Sequence, residues 1–559
     1  MAAALPVGVA LPASLESRRE QMFPELTAAQ IARLEKHGKR VRTQTGDVLV
    51  EPGGRYRCLM VVLSGSIEIV RPGLSGEELV VVHTANHFAG EMSILRGAAS
   101  VIRARVREEG EIIAIDEEQL RGIVQTDAEL SELFMRAFIL RRVGLITVEH
   151  GDVVLLGSRH CAGTLRVRQF LTRNSFPHVN LDIDSDPGAQ AIVERFQLTH
   201  DDIPVVICRG TVLKNPSNEQ VAKCLGMNPQ VDPARVHDVI VIGAGPAGLA
   251  AAVYAASEGL DVRVIETNAP GGQAGSSSRI ENYLGFPTGI SGQALAARAL
   301  VQAQKFGALV SIASNALRLR CESPIRAVEL AGDEMVHGRA IIIATGAAYR
   351  TLALDNLSQF VGTGVYYAAT QVEARLCRGE EVIVVGGGNS AGQAAVFLAS
   401  SCRHVHILVR SDGLADSMSR YLIRRIEESP NITLHTRTEI TALAGNGNLE
   451  KVTWGSPTGS ETRQIGHVFL MMGADPNTRW LANCVALDSK GFVKTGPDLG
   501  LEELSAARWP LQRAPYLLET SAPGIFAVGD VRCGSTKRVA SAVGEGSVCV
   551  LLVHRVLSG

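Results

Sequence analysis

The sequence predicts a multidomain α/β protein, with a β-roll at the front, a small α/β domain behind it, and two larger doubly wound domains filling the second half. Three observations predict this architecture. Residues 42–116 alternate short apolar runs with glycine turns, and residues 151–226 alternate strand-like with helix-like stretches. Beyond residue 237, two continuous apolar runs, Val239–Ile242 and Val382–Val385, each feed a glycine-rich turn. That is the pattern of parallel strands buried on both faces. At 559 residues the chain is too long for one core, and three or four domains are expected.

In the front region the turn signals are Thr45-Gly46-Asp47, Pro52-Gly53-Gly54, Ser64-Gly65 and Gly73-Leu74-Ser75-Gly76. Many short strands with regular turns indicate an antiparallel roll or sandwich. Helical patterns flank it at Ala28–His37 and Glu117–Arg142. In the next region Val153–Leu156, Val179–Ile183 and Val205–Cys208 read as strands, with helices at Thr164–Arg173, Gly188–Phe196 and Ser217–Leu225. Residues 226–237, with two prolines and no periodicity, read as a linker.

A net charge of −2 leaves no basic face for nucleic acid, and 4% aromatic content is that of an ordinary globular chain. No continuous apolar run reaches the roughly 18 residues that span a bilayer. The Met1–Leu15 stretch, broken by Pro6 and Pro12 and lacking a preceding Lys or Arg, does not follow the signal-peptide pattern. A cytoplasmic protein without membrane or nucleic-acid partners is expected. The nearest of the ten cysteines are 16 residues apart, which excludes zinc ribbons, a metal site of that kind and any Cys-x-x-Cys pair. A disulfide assembled by folding stays open, although small buried hydrophobes are the expectation for most of them.

The first glycine turn runs Gly243-Ala244-Gly245-Pro246-Ala247-Gly248, between strand Asp238–Ile242 and helix Gly248–Ser257. Strand Val262–Ile265 then ends in Glu266. Such glycines let backbone amides approach a pyrophosphate at a helix N-terminus, and the acid accepts from a ribose hydroxyl. The second turn is Gly386-Gly387-Gly388-Asn389-Ser390-Ala391, followed by a helix through Leu398 and strand Val405–Val409. The next residue is Arg410, which suits a 2′-phosphate where an acid would repel one. Both are Rossmann-like dinucleotide sites, and the second favours NADPH over NADH. Arg420, Arg424 and Arg425 lie close behind on a predicted helix, where a solvated face explains the last two equally well.

Residues 237–559 resemble the low-molecular-weight thioredoxin reductase family. The resemblance rests on Gly271-Gly272-Gln273, Ile280-Glu281-Asn282-Tyr283, Ala344-Thr345-Gly346, Gly473-Ala474-x-Pro476-Asn477-Thr478 and Gly524–Asp530. It implies a homodimer and interdomain rotation during turnover. It also implies a FAD domain in two parts, residues 237–352 and 478–559, flanking an NAD(P)H domain at 353–477. FAD would be met by Gly243, Gly245, Gly248, Glu266, Gly272, Gln273, Asn282, Thr345, Gly346, Gly529, Asp530, Lys537, Arg538 and Val539, with Asp530 on the ribityl chain. NADPH would be met by Gly386, Gly388, Asn389, Ser390, Ala391 and Arg410.

The chain departs from that family in two places. Members that reduce thioredoxin carry Cys-Ala-Thr-Cys before the nicotinamide-binding strand. Here the frame reads Ala368-Ala369-Thr370-Gln371, and neither a methyl group nor an amide performs thiolate exchange. Of the family's His-Arg-Arg-x-x-x-Arg contact with the NADPH phosphate, the positions hold Val409, Arg410, Ser411 and Ala415, so one arginine of three is kept.

Residues 20–145 resemble a cyclic-nucleotide-binding domain. Phe88-Ala89-Gly90-Glu91 matches the start of the phosphate cassette, and Arg103-Ala104-Arg105-Val106 its closing strand. Gly90 and Glu91 would meet a cyclic nucleotide, with Glu91 on the ribose. Ala98 stands where an arginine normally holds the phosphate, and Arg96 is a displaced substitute. A cyclic-nucleotide effector and a ligand-free docking roll both stay open.

Residues 151–226 resemble a degenerate thioredoxin or glutaredoxin domain through Ile203-Pro204 and Asn215-Pro216-Ser217-Asn218. Its redox motif would be Cys161-Ala162-Gly163-Thr164, with the resolving cysteine replaced by Thr164. A helix N-terminus there would acidify Cys161 for monothiol chemistry; an incidental cysteine is the other reading.

Three functions follow. The first passes electrons from NADPH through FAD to an external small molecule or redox protein. The second reduces disulfides through Cys161 or a partner thiol. The third is a non-enzymatic ligand or redox sensor.

Overall fold

The computed structural model describes residues 18–558, except 53, 55–57, 74–75, 91–93, 95–99, 101, 148–152, 187–188, 190–191, 195, 209–210, 230–231, 278–279, 281–282, 322–324, 333, 362, 368, 370, 416, 458 and 482–483. The front region is an antiparallel sheet of β1 (Lys39–Thr43), β2 (Val48–Val50), β3 (Cys58–Gly73), β4 (Gly76–His83), β5 (Phe88–Ala89) and β6 (Arg103–Asp116). Its order is β1–β6–β3–β4, with β2 on β6 and β5 on β3. Register shifts between Val62 and Ile67 let the long β3 bend and serve both ends of the roll.

Helix α1 (Ala28–Leu34) precedes the roll and opens with a reciprocal capping box between Thr27 and Gln30. Helices α2 (Glu117–Thr126) and α3 (Ala128–Thr147) follow it. The sequence pattern reads these last two as one helix. The chain breaks at Asp127, which is extended at φ −106°, ψ 101° and accepts from Leu130 N at 3.0 Å, a local side-chain bond that competes with the helix. Phe134 and Phe138 of α3 meet the Phe88 ring at centroid distances of 4.9 and 6.3 Å. All three are fully buried, each contributing about 1.5–3 kcal/mol of burial.

The middle sheet comprises β7 (Val153–Leu156), β8 (Val179–Leu181), β9 (Val205–Cys208) and β10 (Thr211–Lys214), in the order β10–β9–β7–β8. β7 and β8 are parallel, and β9 is antiparallel to both β7 and β10. Helices α4 (Ala162–Arg173) and α5 (Asn218–Cys224) belong to it. The strand expected at Val179–Ile183 stops at Leu181, and part of the expected Gly188–Phe196 helix lies outside the described residues. β10 has no counterpart in the sequence reading.

The first large sheet orders β13 (Leu309–Ile312), β12 (Val262–Glu266), β11 (Val236–Ile242), β16 (Met335–Ile343), β15 (Arg326–Leu330) and β14 (Ala316–Arg320). β27 (Ile525–Ala527), from far down the chain, pairs in parallel with β16. Helix α6 (Pro246–Ser257) follows β11, and α7 (Gly292–Lys305) precedes β13. A short pair, β17 (Ala347–Tyr349) with β26 (Ala474–Pro476), carries the chain out to the second large sheet and back.

That second sheet is wholly parallel, in the order β18 (Val365–Tyr366), β25 (Val468–Leu470), β19 (Glu381–Val385), β20 (His404–Leu408) and β21 (Ile432–His435). Helices α8 (Gln371–Leu376), α9 (Asn389–Ala399) and α10 (Arg420–Glu427) join its strands, and a hairpin sheet of β22 (Glu439–Ala444), β23 (Lys451–Ser456) and β24 (Gly459–Arg463) is inserted before β25.

The last helix, α11 (Val539–Ser558), packs on α6 so closely that a Cβ on Gly546 would meet Ala247 O. Among the described residues it is the one helix long and apolar enough to cross a membrane, with mean hydropathy 1.4 over its best window. A count of unbroken apolar residues misses it, because Glu545, His554 and Arg555 interrupt the run. One apolar cluster joins the roll, the middle sheet and the first large sheet. The front regions are therefore packed onto the rest of the molecule.

Candidate functional site

β11 delivers the chain into a turn that excludes a side chain at two of its glycines. Gly243 lies at φ +102° and donates its amide to Ile265 O at 2.8 Å. A Cβ there would strike the Ala344 carbonyl, and one on Gly248 would strike the Gly243 carbonyl. Only glycine at both places lets α6 lie against β11. Gly245 stands at the N-cap of α6, with Pro246 opening the helix and no side chain capping it. Its backbone faces Gly272, where a Cβ would lie 3.1 Å from Gly245 Cα. Glu266 ends β12 and accepts from Ala244 N at 2.7 Å and Asn268 N at 2.9 Å. Burial pushes its carboxyl above the usual range while the Asn268, Ala244 and Ala269 amides oppose that rise, and about one lone pair is left for a ribose hydroxyl.

The other residues of this set gather at the carboxyl ends of β16 and β27, where open α/β sheets bind ligands. Thr345 Oγ1 donates to Asn477 O at 2.9 Å, and Asn477 Nδ2 returns a bond to Thr345 O at 3.0 Å. Gly346 takes φ +62°, and Gln273 Nε2 donates to Ala347 O at 2.7 Å. Gly529 N donates to Glu545 Oε2 at 2.6 Å, while Arg532 holds the other oxygen at 2.6 Å. Burial raises the Asp530 carboxyl and Lys537 opposes that rise. Arg538 and Val539 open α11, and the nearby Ser535 hydroxyl is buried without a protein partner. Asn282 lies outside the described residues. A cradle that a Cβ would fill, together with an orphaned hydroxyl, fits a pyrophosphate-bearing cofactor such as FAD.

The second turn repeats the layout at the end of β19. Gly386, at φ +135°, donates to Leu408 O at 3.0 Å. Gly388 is the N-cap of α9, Asn389 and Ser390 are exposed, and Ala391 is buried under the helix. Asn389 Oδ1 accepts from Ser419 N at 2.7 Å, and Ser417 Oγ donates to Gly387 O at 2.8 Å. The 417–419 segment thus borders the turn. Arg410 is exposed just past β20. Arg424 pairs with Glu428 at 3.6 Å and Arg425 with Tyr421 Oη at 2.8 Å, so these two serve their own helix, as a solvated face does.

Of the positions that hold cysteine in dithiol-bearing relatives, Ala368 lies outside the described residues and Gln371 is the exposed first residue of α8. Cys161 is the N-cap of α4. Its sulfur and Pro204 both flank Gly163, where a Cβ would lie 3.7 Å from Cys161 Sγ and 2.7 Å from Pro204 Cδ. Thr164 is buried against Gly157, with its hydroxyl unpartnered. Arg166 is electrostatically coupled to Cys161 and is held by Asn218 Oδ1 at 2.9 Å and Pro216 O at 2.7 Å.

Three features escaped the sequence reading. Helix α4 is bonded to elements flanking both large sheets: Arg173 Nη2 donates to Gly272 O at 2.9 Å, Gln293 Nε2 of α7 donates to Thr172 O at 2.8 Å, and Gln169 Nε2 donates to Glu373 Oε1 of α8 at 2.9 Å. In the roll, Arg141 of α3 donates to Gly90 O at 2.7 Å and Phe88 O at 3.2 Å, anchoring the strand that leads into Gly90. Glu91, Arg96 and Ala98 lie outside the described residues, while Arg103 and Arg105 are committed to Glu51, Glu77 and Glu68. Finally, Cys208 is bonded to Cys224 and Cys321 to Cys484, two disulfides assembled by folding, the possibility that the sequence left open. Sequence spacing carries no signal for either pair. No cluster of three or more metal-ligating side chains exists among the described residues.

Comparison with known proteins matches residues 237–546 to the pyridine nucleotide-disulphide oxidoreductase family and residues 40–127 to the cyclic nucleotide-binding domain. The thioredoxin reductase of Mycolicibacterium smegmatis is 34% identical over 325 residues, covering 58% of this chain and 97% of that protein. The NADPH-dependent thioredoxin reductase 3 of Arabidopsis thaliana is 33% identical over 338 residues, covering 58% of this chain and 59% of that one. Among solved structures, Lactococcus lactis thioredoxin reductase in its FR conformation superposes with TM-score 0.51 at 26% identity, over 58% of this chain and 99% of that chain.

Proposed function

Because the chain belongs to the pyridine nucleotide-disulphide oxidoreductase family and is an NAD(P)H-dependent flavoprotein oxidoreductase, we propose that it reduces disulfides with Cys161 standing in for the dithiol absent at 368 and 371. FAD, when bound, supplies two-electron transfer between a nicotinamide hydride and a disulfide. The observation that carries the reading is Cys161 at the N-cap of α4, against Pro204, on a helix hydrogen-bonded to the Gly272 loop. The order β10–β9–β7–β8, with β7 and β8 parallel, supports reading residues 151–226 as thioredoxin-like.

In this scheme a mixed disulfide between Cys161 and a substrate thiol accepts two electrons and two protons. It yields the Cys161 thiol and one free substrate thiol. Cys161 stands at the N-terminal end of α4 with Arg166 close by on the same helix. Twelve helical residues at about 1.5 Å each put Cys161 roughly 18 Å along α4 from Arg173. Delivery therefore requires release of α4 or a shuttling partner thiol. Arg410 supports NADPH rather than NADH, and the roll supports a cyclic-nucleotide effector at Gly90 and Glu91. We read the assembly as a homodimer with the domain limits expected from sequence, acting in the cytoplasm.

A second reading, direct transfer to an external acceptor, is favoured by the exposure of Gln371 and by that 18 Å offset. Anaerobic NADPH oxidation with a mixed-disulfide substrate separates the two. Cys161→Ser loses disulfide reduction under the first reading and keeps its full rate under the second.

A further inference from the structure

Two thiols outside the sites above meet in the core of the second large sheet. Cys377 follows α8 and Cys402 precedes β20; their sulfurs lie 3.6 Å apart, and the residues are 0% and 6% exposed. The segments that carry them are already joined. Gly379 N donates to Ser401 O at 2.9 Å and Arg403 N to Glu380 O at 2.8 Å. Each cysteine amide is also fixed to the end of a helix, Cys377 N on Glu373 O at 3.2 Å and Cys402 N on Leu398 O at 2.8 Å. A disulfide needs a sulfur separation of about 2.05 Å, so closure takes roughly 1.5 Å of approach between two segments held in register.

We propose that Cys377 and Cys402 are a peroxide-sensitive dithiol that closes to a cystine within the nicotinamide-binding domain. The Cys402 thiolate attacks hydrogen peroxide; an S–O bond forms, the O–O bond breaks, and hydroxide leaves and is protonated to water. Cys377 then attacks that sulfur; the S–S bond forms, the S–O bond breaks, and a second water leaves. Two thiols and one peroxide become one cystine and two waters. Peroxide is small enough for a nearly closed core, whereas a bulky disulfide oxidant is not.

Cys402 is the residue poised to react, because the Cys377 S–H and the Ser401 side chain stabilise its thiolate and lower its pKa, while Cys377 is pushed up. The change extends beyond the pair. The Cys377 thiol lies 3.2 Å from Glu373 O, and Glu373 carries the carboxylate that receives Gln169 from α4. Closure joins the sulfur beside the last turn of α8 to the segment before β20, at the contact between the middle region and the second sheet.

The test is peroxide treatment of the full-length, flavin-loaded protein, then alkylation under denaturing conditions and peptide mapping without reductant. The expected result is that the Cys377 and Cys402 peptides are recovered joined, are separated again by reductant, and are recovered unjoined in Cys402→Ala. Recovery of both as separately alkylated peptides, or as sulfinic acids, at a peroxide dose that fully oxidises Cys161, overturns the proposal. The wild-type map decides the matter even if Cys402→Ala fails to fold.

Discussion

Glu545→Gln tests how the loop at Gly529 and Asp530 is held. One carboxylate on α11 accepts Gly529 N and Arg532 Nη2, both at 2.6 Å. Each bond to a charged acceptor is worth about 1.5–3 kcal/mol, and a neutral one about 1 kcal/mol. Glutamine keeps the shape and one acceptor oxygen, so it loses one bond and weakens the other. The ion-pair side chains remain 18% and 16% exposed, so solvent screens part of the loss, leaving about 2–3 kcal/mol. If the loss falls on the loop conformation that receives FAD, affinity drops roughly 30- to 150-fold. Titrating FAD into apoprotein and following flavin fluorescence measures it. Affinity within about twofold of wild type would refute the assignment of Glu545 as the residue that positions this loop.

Three further outcomes follow from the geometry. His406 is buried against His404, His435 and Arg463, and its pKa is lowered to about 4, chiefly by burial; unfolded His titrates near 6.5. The unfolded state therefore binds more protons between those values, so stability falls as pH drops from about 6.5 to 4. Urea unfolding across that range should show a shallower pH dependence in His406→Phe; an identical slope contradicts the assignment. Arg410→Ala should cut the preference for NADPH over NADH by roughly 10- to 100-fold, the worth of one charge-assisted phosphate bond, read from kcat/KM for flavin reduction by each nucleotide; an unchanged ratio removes Arg410 from the site. Gly248→Ala should leave purified protein without yellow colour, because its Cβ meets the Gly243 carbonyl; full flavin content there refutes the cradle.

What the sequence made legible follows from how locally each feature is encoded. Val153–Leu156 and Val205–Cys208 are strands over the limits expected, because short apolar runs beside turn residues specify buried strands. Both glycine turns stand where expected, since their backbone geometry excludes side chains at Gly243 and Gly248 in the first and at Gly386 in the second. The Asp127 break was hidden inside an unbroken helical periodicity, and a single extended residue leaves no period to read. The cystines, the Cys377–Cys402 pair and the α4 bonds to Gly272 and Glu373 join residues far apart in the chain. No spacing rule reaches them. The fate of Arg424 and Arg425 depended on which neighbour lay nearest, which periodicity does not encode.

The most direct test of the central claim follows flavin bleaching and substrate-thiol release together in wild type and Cys161→Ser, mixed anaerobically with NADPH and a mixed disulfide. The account predicts equal bleaching in both proteins and thiol release in wild type alone. Equal thiol release from the two would contradict it and assign the electrons to an acceptor that bypasses Cys161.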